Sequence, residues 1–195
     1  MKKIHVLLAI TAGFLSMFGL SSCQYNSMIE KREAVSSQWA QVENVYQRRA
    51  DLIPNLVSTV KGAANFEQTT LEKVMQARAS ATQVKIDANN LNPETIARFQ
   101  SAQDGLSSAL GKLMMVTENY PDLKANKNFL ELQSQLEGTE NRITVERMKF
   151  NEMVQDYNSY IQKFPNNMIS GMFNFEKKGY FTAAPGSDKA PEVKF

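Results

Sequence analysis

Between residues 28 and 164 the chain carries only three prolines, Pro54, Pro93 and Pro121, and apolar residues return every three or four positions between them. Val35, Trp39, Val42, Tyr46, Arg49, Ile53, Leu56, Val60 and Ala63 follow alternating steps of four and three. Ile96, Phe99, Gln103, Leu106, Leu110, Leu113, Thr117 and Tyr120 repeat the pattern. So do Phe129, Leu132, Leu136, Glu140, Ile143, Arg147, Phe150, Val154, Tyr157, Ile161 and Phe164. Such stripes keep one side of a helix towards its neighbours, and no alternating run long enough for a sheet competes with them. The expected fold class is all-α, an up-and-down antiparallel bundle of four helices over about 28–63, 66–86, 93–120 and 126–164.

The breaks have local causes. Asn92 is placed to cap a helix, with Pro93 at its first position and Glu94 in its first turn. Pro121 ends that helix, because the residue before a proline avoids helical angles. Asn126 is the expected cap of the last long helix. Pro54 either kinks the first helix or follows a cap at Asp51; the stripe stays in phase across it, which favours a kink, with Asn55 satisfying the backbone groups the proline frees. The turn is then expected near 62–66, with Asn65 as cap. Residues 165–195 are expected to form a short helix near 166–172 and mostly irregular chain.

The N-terminus states a location. Met1-Lys2-Lys3 precedes an apolar run over residues 4–20, the pattern of an export signal. Leu20-Ser21-Ser22-Cys23 resembles a bacterial lipobox and holds the only cysteine. The expected course is cleavage after residue 22, acylation of Cys23 and a short linker over 23–27. The alternative is an uncleaved anchor, for which 17 apolar residues stand at the short limit. Either form puts the domain outside the cytoplasm. Gln24 after the cysteine favours the outer membrane in a cell with two membranes; the alternative places the chain in the inner membrane as a signal anchor.

Charge and residue types then exclude function classes. Without residues 1–22 the chain has two fewer than its 22 Lys and Arg, which balances its 20 Asp and Glu. A neutral surface does not suit a nucleic-acid binder. The only histidine, His5, lies in the leader. A domain without imidazole or free thiol cannot run Ser-His-Asp or Cys-His chemistry, nor hold zinc by nitrogen or sulfur. Carboxylate-only sites remain formally open. No catalytic residue, metal ligand or cofactor is assigned.

"RRADLIPNLVSTVKGAANFE" (48–67), "YPDLKANKNFLELQSQLEGTENRI" (120–143), the "YN..I..FP" pattern at 157–165, "FEKKGYF" and the closing "PEVKF" together resemble the LemA family of bacterial membrane proteins. The resemblance implies a helical bundle outside the cytoplasm, attached by its N-terminus, and transfers no catalytic residues. Many members look like uncleaved anchors, so the lipobox is a departure.

Two clusters stand out as candidate sites. Arg49, Glu140 and Arg147 fall on apolar seams. They read as a buried ionic cluster fixing helix register, as a ligand pocket, or as arginines reaching out to water. Met168, Met172, Phe173 and Phe175 read as a cap on the bundle base, or as a contact for a partner or the membrane. The function expected is a non-enzymatic, envelope-anchored scaffold. Its partners would be the membrane, through the lipid anchor, and another envelope protein. The alternative is a small-ligand or lipid-binding bundle with an interior pocket near Arg49 and Glu140.

Overall fold

The architecture comes from a computed structural model that describes residues 2–62 and 66–183, with side chains from Cys23 onward. The side chains of the lipobox residues Leu20, Ser21 and Ser22, and the stripe residue Ala63, the expected cap Asn65 and the tail 184–195 altogether, lie outside that description. Six helices follow in order: α1 (Lys2–Lys61), α2 (Gln68–Gln83), α3 (Pro93–Thr117), α4 (Pro121–Lys124), α5 (Lys127–Gln162) and α6 (Asn166–Met172). No strand occurs among the described residues. The expected all-α bundle is present.

α1 and α5 run antiparallel: Lys31 pairs with Asp156, Gln38 with Glu146 and Arg49 with Glu140. α2 and α3 form a second antiparallel pair, and α2 also packs on α1. The caps work as the residues require. The Asn92 side chain accepts from Thr95 N at 2.8 Å, and that of Asn126 accepts from Asn128 N at 2.9 Å and Phe129 N at 3.3 Å. α2 stops at Gln83, three residues before the expected 86, because Ile86 and Leu91 of the loop turn inward and are buried. Pro121 does more than end α3; it opens the one-turn α4, whose Leu123 is buried.

Pro54 sits inside a continuous α1. A proline has no N–H to offer the carbonyl four residues back, so Ala50 O loses its helical donor. Asn55 was the expected remedy, and the structure supplies a different one. Arg78 of α2 donates from Nε to Ala50 O at 2.7 Å. The proline thereby turns a defect of one helix into a bond to the next.

This arrangement predicts a coupled pair of substitutions. Arg78→Met strands a largely enclosed carbonyl and is expected to destabilise by about 1–3 kcal/mol. In a Pro54→Ala background the helix can bond Ala50 O itself, and the same change should cost clearly less. Urea melts of the four variants measure the coupling; equal costs in both backgrounds would show that Arg78 acts elsewhere.

Candidate functional site

The core divides into two apolar clusters. One holds Trp39, Val42, Tyr46, Phe99, Ile143 and Phe150; the other holds Ile53, Leu56, Leu106, Leu110, Leu113 and Leu136. Between them, on each helix, the seam position is polar: Arg49 follows Tyr46, Gln103 follows Phe99, and Glu140 follows Leu136. Helical spacing therefore brings these three residues to one level of the bundle.

Arg49 is 1% exposed and reaches two further helices, α3 and α5, from α1. Its Nη1 donates to Glu140 Oε1 at 2.6 Å and to Ser107 Oγ at 2.7 Å. Its Nη2 donates to Gln103 Oε1 at 2.6 Å. Gln103 Nε2 then donates to Ala81 O of α2 at 3.3 Å, so all four long helices share one network. Of the guanidinium nitrogens only Nε lacks a partner among the described residues, and the guanidinium lies over the Tyr46 ring, 5.1 Å from its centroid. Burial pushes the Tyr46 phenol above its ordinary pKa, while Arg147 and Arg49 pull it down.

The expected trio is thus only partly assembled. Arg49 and Glu140 meet, although the Glu140 side chain is 43% exposed. Arg147 does not join them. It points along the bundle surface, covers the Phe181 ring at 4.7 Å and donates to Thr182 O at 3.0 Å. The Nη donors of Arg49 that a ligand would need are engaged by Gln103, Ser107 and Glu140.

Arg147 leads to a feature absent from the expectations. After α6, Asn174 adopts a left-handed φ of 58°, which asparagine tolerates, and residues 175–183 return as an extended strap beside α5. Three amide side chains hold the strap's backbone as a neighbouring strand would. Asn158 accepts from Lys178 N and donates to its carbonyl, both at 2.9 Å. Asn151 does the same for Phe181, again at 2.9 Å. Gln100 accepts from Thr182 N at 3.0 Å and donates to Thr182 O at 2.9 Å. The Phe181 ring stacks on Trp39 and meets Phe99 and Phe150 edge-on. Gly179 passes so close to α3 that a Cβ there would lie 2.7 Å from Pro93 Cα. Lys178 is buried by the strap, which lowers its pKa, and its Nζ donates to Asn89 O at 2.9 Å.

The strap lies between α3 and α5, and an open groove continues its line. Past Gln100, α3 presents Ser107, Leu110, Gly111 and Met114; past Arg147, α5 presents Glu140, Glu137, Leu136 and Gln133. The groove measures about 530 Å³ and its walls are mainly apolar, with the exposed flank of Glu140 at the end nearer the strap.

The α6 cluster also divides. Met168, Met172 and Phe173 are exposed, but Phe175 is only 8% exposed. Phe175 packs in the first core cluster, edge-on to Tyr25, and so is removed from the contact candidates. Cys23 is exposed and makes no disulfide, and it stands at the start of the described side chains. Among the described residues no helix is long and apolar enough to cross a membrane, and no group of His, Cys, Asp or Glu is arranged to hold a metal.

Comparison with known proteins gives a consistent result. The sequence profile of the LemA family matches residues 38–195. "Magnetosome protein MamQ 2" of Paramagnetospirillum magneticum is 24% identical over 207 residues, covering 95% of this chain and 75% of that protein. "Magnetosome protein MamQ" of Magnetospirillum gryphiswaldense gives the same figures. "Protein LemA" of Metamycoplasma hominis is 23% identical over 159 residues, covering 82% of this chain and 69% of its own.

The geometry sets what Glu140 contributes. Because its carboxylate is half in water and Arg49 keeps Gln103 and Ser107, Glu140→Ala is expected to cost about 1.5–3 kcal/mol, the range for a hydrogen bond to a charged group. Surface pairs are worth about 0–1 kcal/mol, and Lys149→Ala, which removes the half-exposed partner of Glu146 and leaves Gln38 bonded to that carboxylate, should stay within that range. Denaturant melts compare the two directly. Equal, small costs would mean that the polar layer does not depend on its α5 member.

Proposed function

Because the chain belongs to the LemA family, we propose that it is a non-enzymatic scaffold of the cell envelope, anchored by its N-terminus, whose α3–α5 groove receives an extended segment of another envelope protein. One observation carries this reading. The upper part of the same inter-helix groove already holds an extended chain, through side-chain amides that recognise backbone rather than sequence. The lower part offers apolar walls of similar make-up and lies open. Strong polar groups are meanwhile engaged inside the bundle: buried Arg49 ties α1 to α3 and α5, and Asn158 and Asn151 bond the strap. What the domain offers to other molecules is therefore shape and surface.

The anchor is the acylated Cys23, exposed within α1 just after the apolar run 4–20. Two or more acyl chains, at about 0.8 kcal/mol per buried methylene, hold a protein stably on a bilayer. Gln24 directs the chain to an outer membrane where the cell has one. The relatives named as magnetosome proteins fit a family placed at membranes.

Two outcomes are expected. Mass spectrometry of the protein extracted from membranes should give a chain beginning at Cys23 and carrying acyl groups; an intact 1–22 segment or an unmodified thiol contradicts the lipid anchor. Gly111 lines the groove, and a Cβ there meets nothing within 4 Å. Gly111→Ala should therefore stabilise the fold by about 0.5–1 kcal/mol through helix propensity alone. Gly111→Trp should fold equally well, fill the groove and abolish recovery of cross-linked envelope partners. Undiminished recovery with Gly111→Trp would reject the groove as the docking site.

A further inference from the structure

α6 is a helix with its polar side inward. Asn166 Nδ2 donates to Tyr160 O at 3.0 Å, and Ser170 Oγ donates to Ile161 O at 3.0 Å. Both acceptors lie in the last turn of α5, where carbonyls have no helical partner. The buried face of α6 is thus polar for a reason: it caps the longer helix. The consequence falls on the other face. Phe164 at 81% and Met172 at 79% are nearly as exposed as side chains can be, and Met168 and Phe173 are exposed beside them. Met168 and Met172, four residues apart on α6, share one side, and Phe164 stands exposed in the turn just before the helix. Large apolar side chains exposed this close together in sequence mark a contact surface.

Its place in the molecule identifies the contact. The Phe173 ring meets the Tyr25 ring edge-on at 4.9 Å. Tyr25 lies two residues after Cys23, about 3 Å along the helix axis. The apolar run 4–20 ends immediately before. The exposed face of α6 therefore stands at the level where the chain leaves the membrane. Phe and Met in a short in-plane helix suit the boundary between headgroups and acyl chains, where no rigid complementary pocket exists. Among the exposed charges that bracket the segment, Lys163 and Lys177 outnumber Glu176, which leaves a small positive balance toward anionic headgroups.

We propose that Phe164, Met168, Met172 and Phe173 rest on the lipid bilayer, so that the domain stands on its membrane through α6 as well as through its N-terminal anchor. This rests on the membrane attachment proposed above, and the test separates the two. Full-length chain is reconstituted in vesicles of phosphatidylethanolamine and phosphatidylglycerol. An acylated Cys23 offers no thiol, so a cysteine at Met172→Cys takes an environment-sensitive fluorophore alone. Met148→Cys, exposed in the middle of α5, is the reference. A nitroxide on the lipid headgroup is expected to quench the label at 172 several-fold more than the label at 148, and the emission at 172 to shift to shorter wavelength. Equal quenching at both sites, on protein that floats with the vesicles, overturns the proposal. So does a shift at 172 that appears only when native membrane proteins are added, which would make the cover a protein. If the chain without a new cysteine takes label, the thiol is free and the lipid anchor fails. The comparison of 172 with 148 is then made in a Cys23→Ser chain and still reads the bilayer contact.

Discussion

The guanidinium of Arg49 is where the long helices of this bundle agree on their positions. Apolar packing alone is tolerant: a leucine seam can slide by a turn and find another leucine. A planar fork with acceptors on α3 and α5 cannot, because its bonds have fixed directions. Gln103 extends the constraint to α2 through the Ala81 carbonyl. The layer lies between two apolar clusters, each of which would accept several alignments. Burying such a charge is costly, and apolar replacements of similar volume often match or exceed it in stability. The gain assigned to this layer is therefore a single register, with net stability secondary.

The strap applies the same economy to a different problem. A returning extended chain has backbone groups on both sides and no sheet to pair with. Asn151, Asn158 and Gln100 supply the missing donors and acceptors from helices, and Phe181 brings the strap into the aromatic group around Trp39. Once the strap has filled the upper groove, the polar layer lies just below its end, and the open groove begins there. Structure and exposed surface are thus set by one ordering of elements along α3 and α5. At the opposite end, α6 spends its polar side on α5 carbonyls and leaves methionine and phenylalanine outside.

Much of this was legible in the residues. The stripes required helices, Asn92 and Asn126 announced their starts, and Arg49 and Glu140 stood out as charges on apolar seams. What stayed hidden shares a physical cause. The partner of Ala50 O is Arg78, which is distant in sequence and carries no local mark, while Asn55 looked adjacent and sufficient. Arg147 sits in phase with Glu140, but two turns of helix take it past the polar layer to the strap, and periodicity cannot see that. Phe175 resembled its neighbours Met172 and Phe173, yet the turn at Asn174 reverses its direction into the core. The strap was the largest omission. Its signal was present as amides beside seam aromatics, Asn151 after Phe150 and Asn158 after Tyr157, seven residues apart. Read alone, an amide there is as well explained by solvent exposure.

The central claim is that the polar layer fixes the relative placement of α1 and α3. Spin labels at Gln47→Cys and Lys112→Cys, both exposed, report it in a full-length Cys23→Ser chain. The measurement is the distribution of distances between them by pulsed electron resonance, before and after Arg49→Met, Gln103→Leu and Glu140→Leu are combined. The account requires one narrow distance for the native layer. For the apolar layer it requires a broadened or divided distribution at undiminished helix content. The same single narrow distance in both proteins would contradict it, and would return the choice of register to the apolar seams alone.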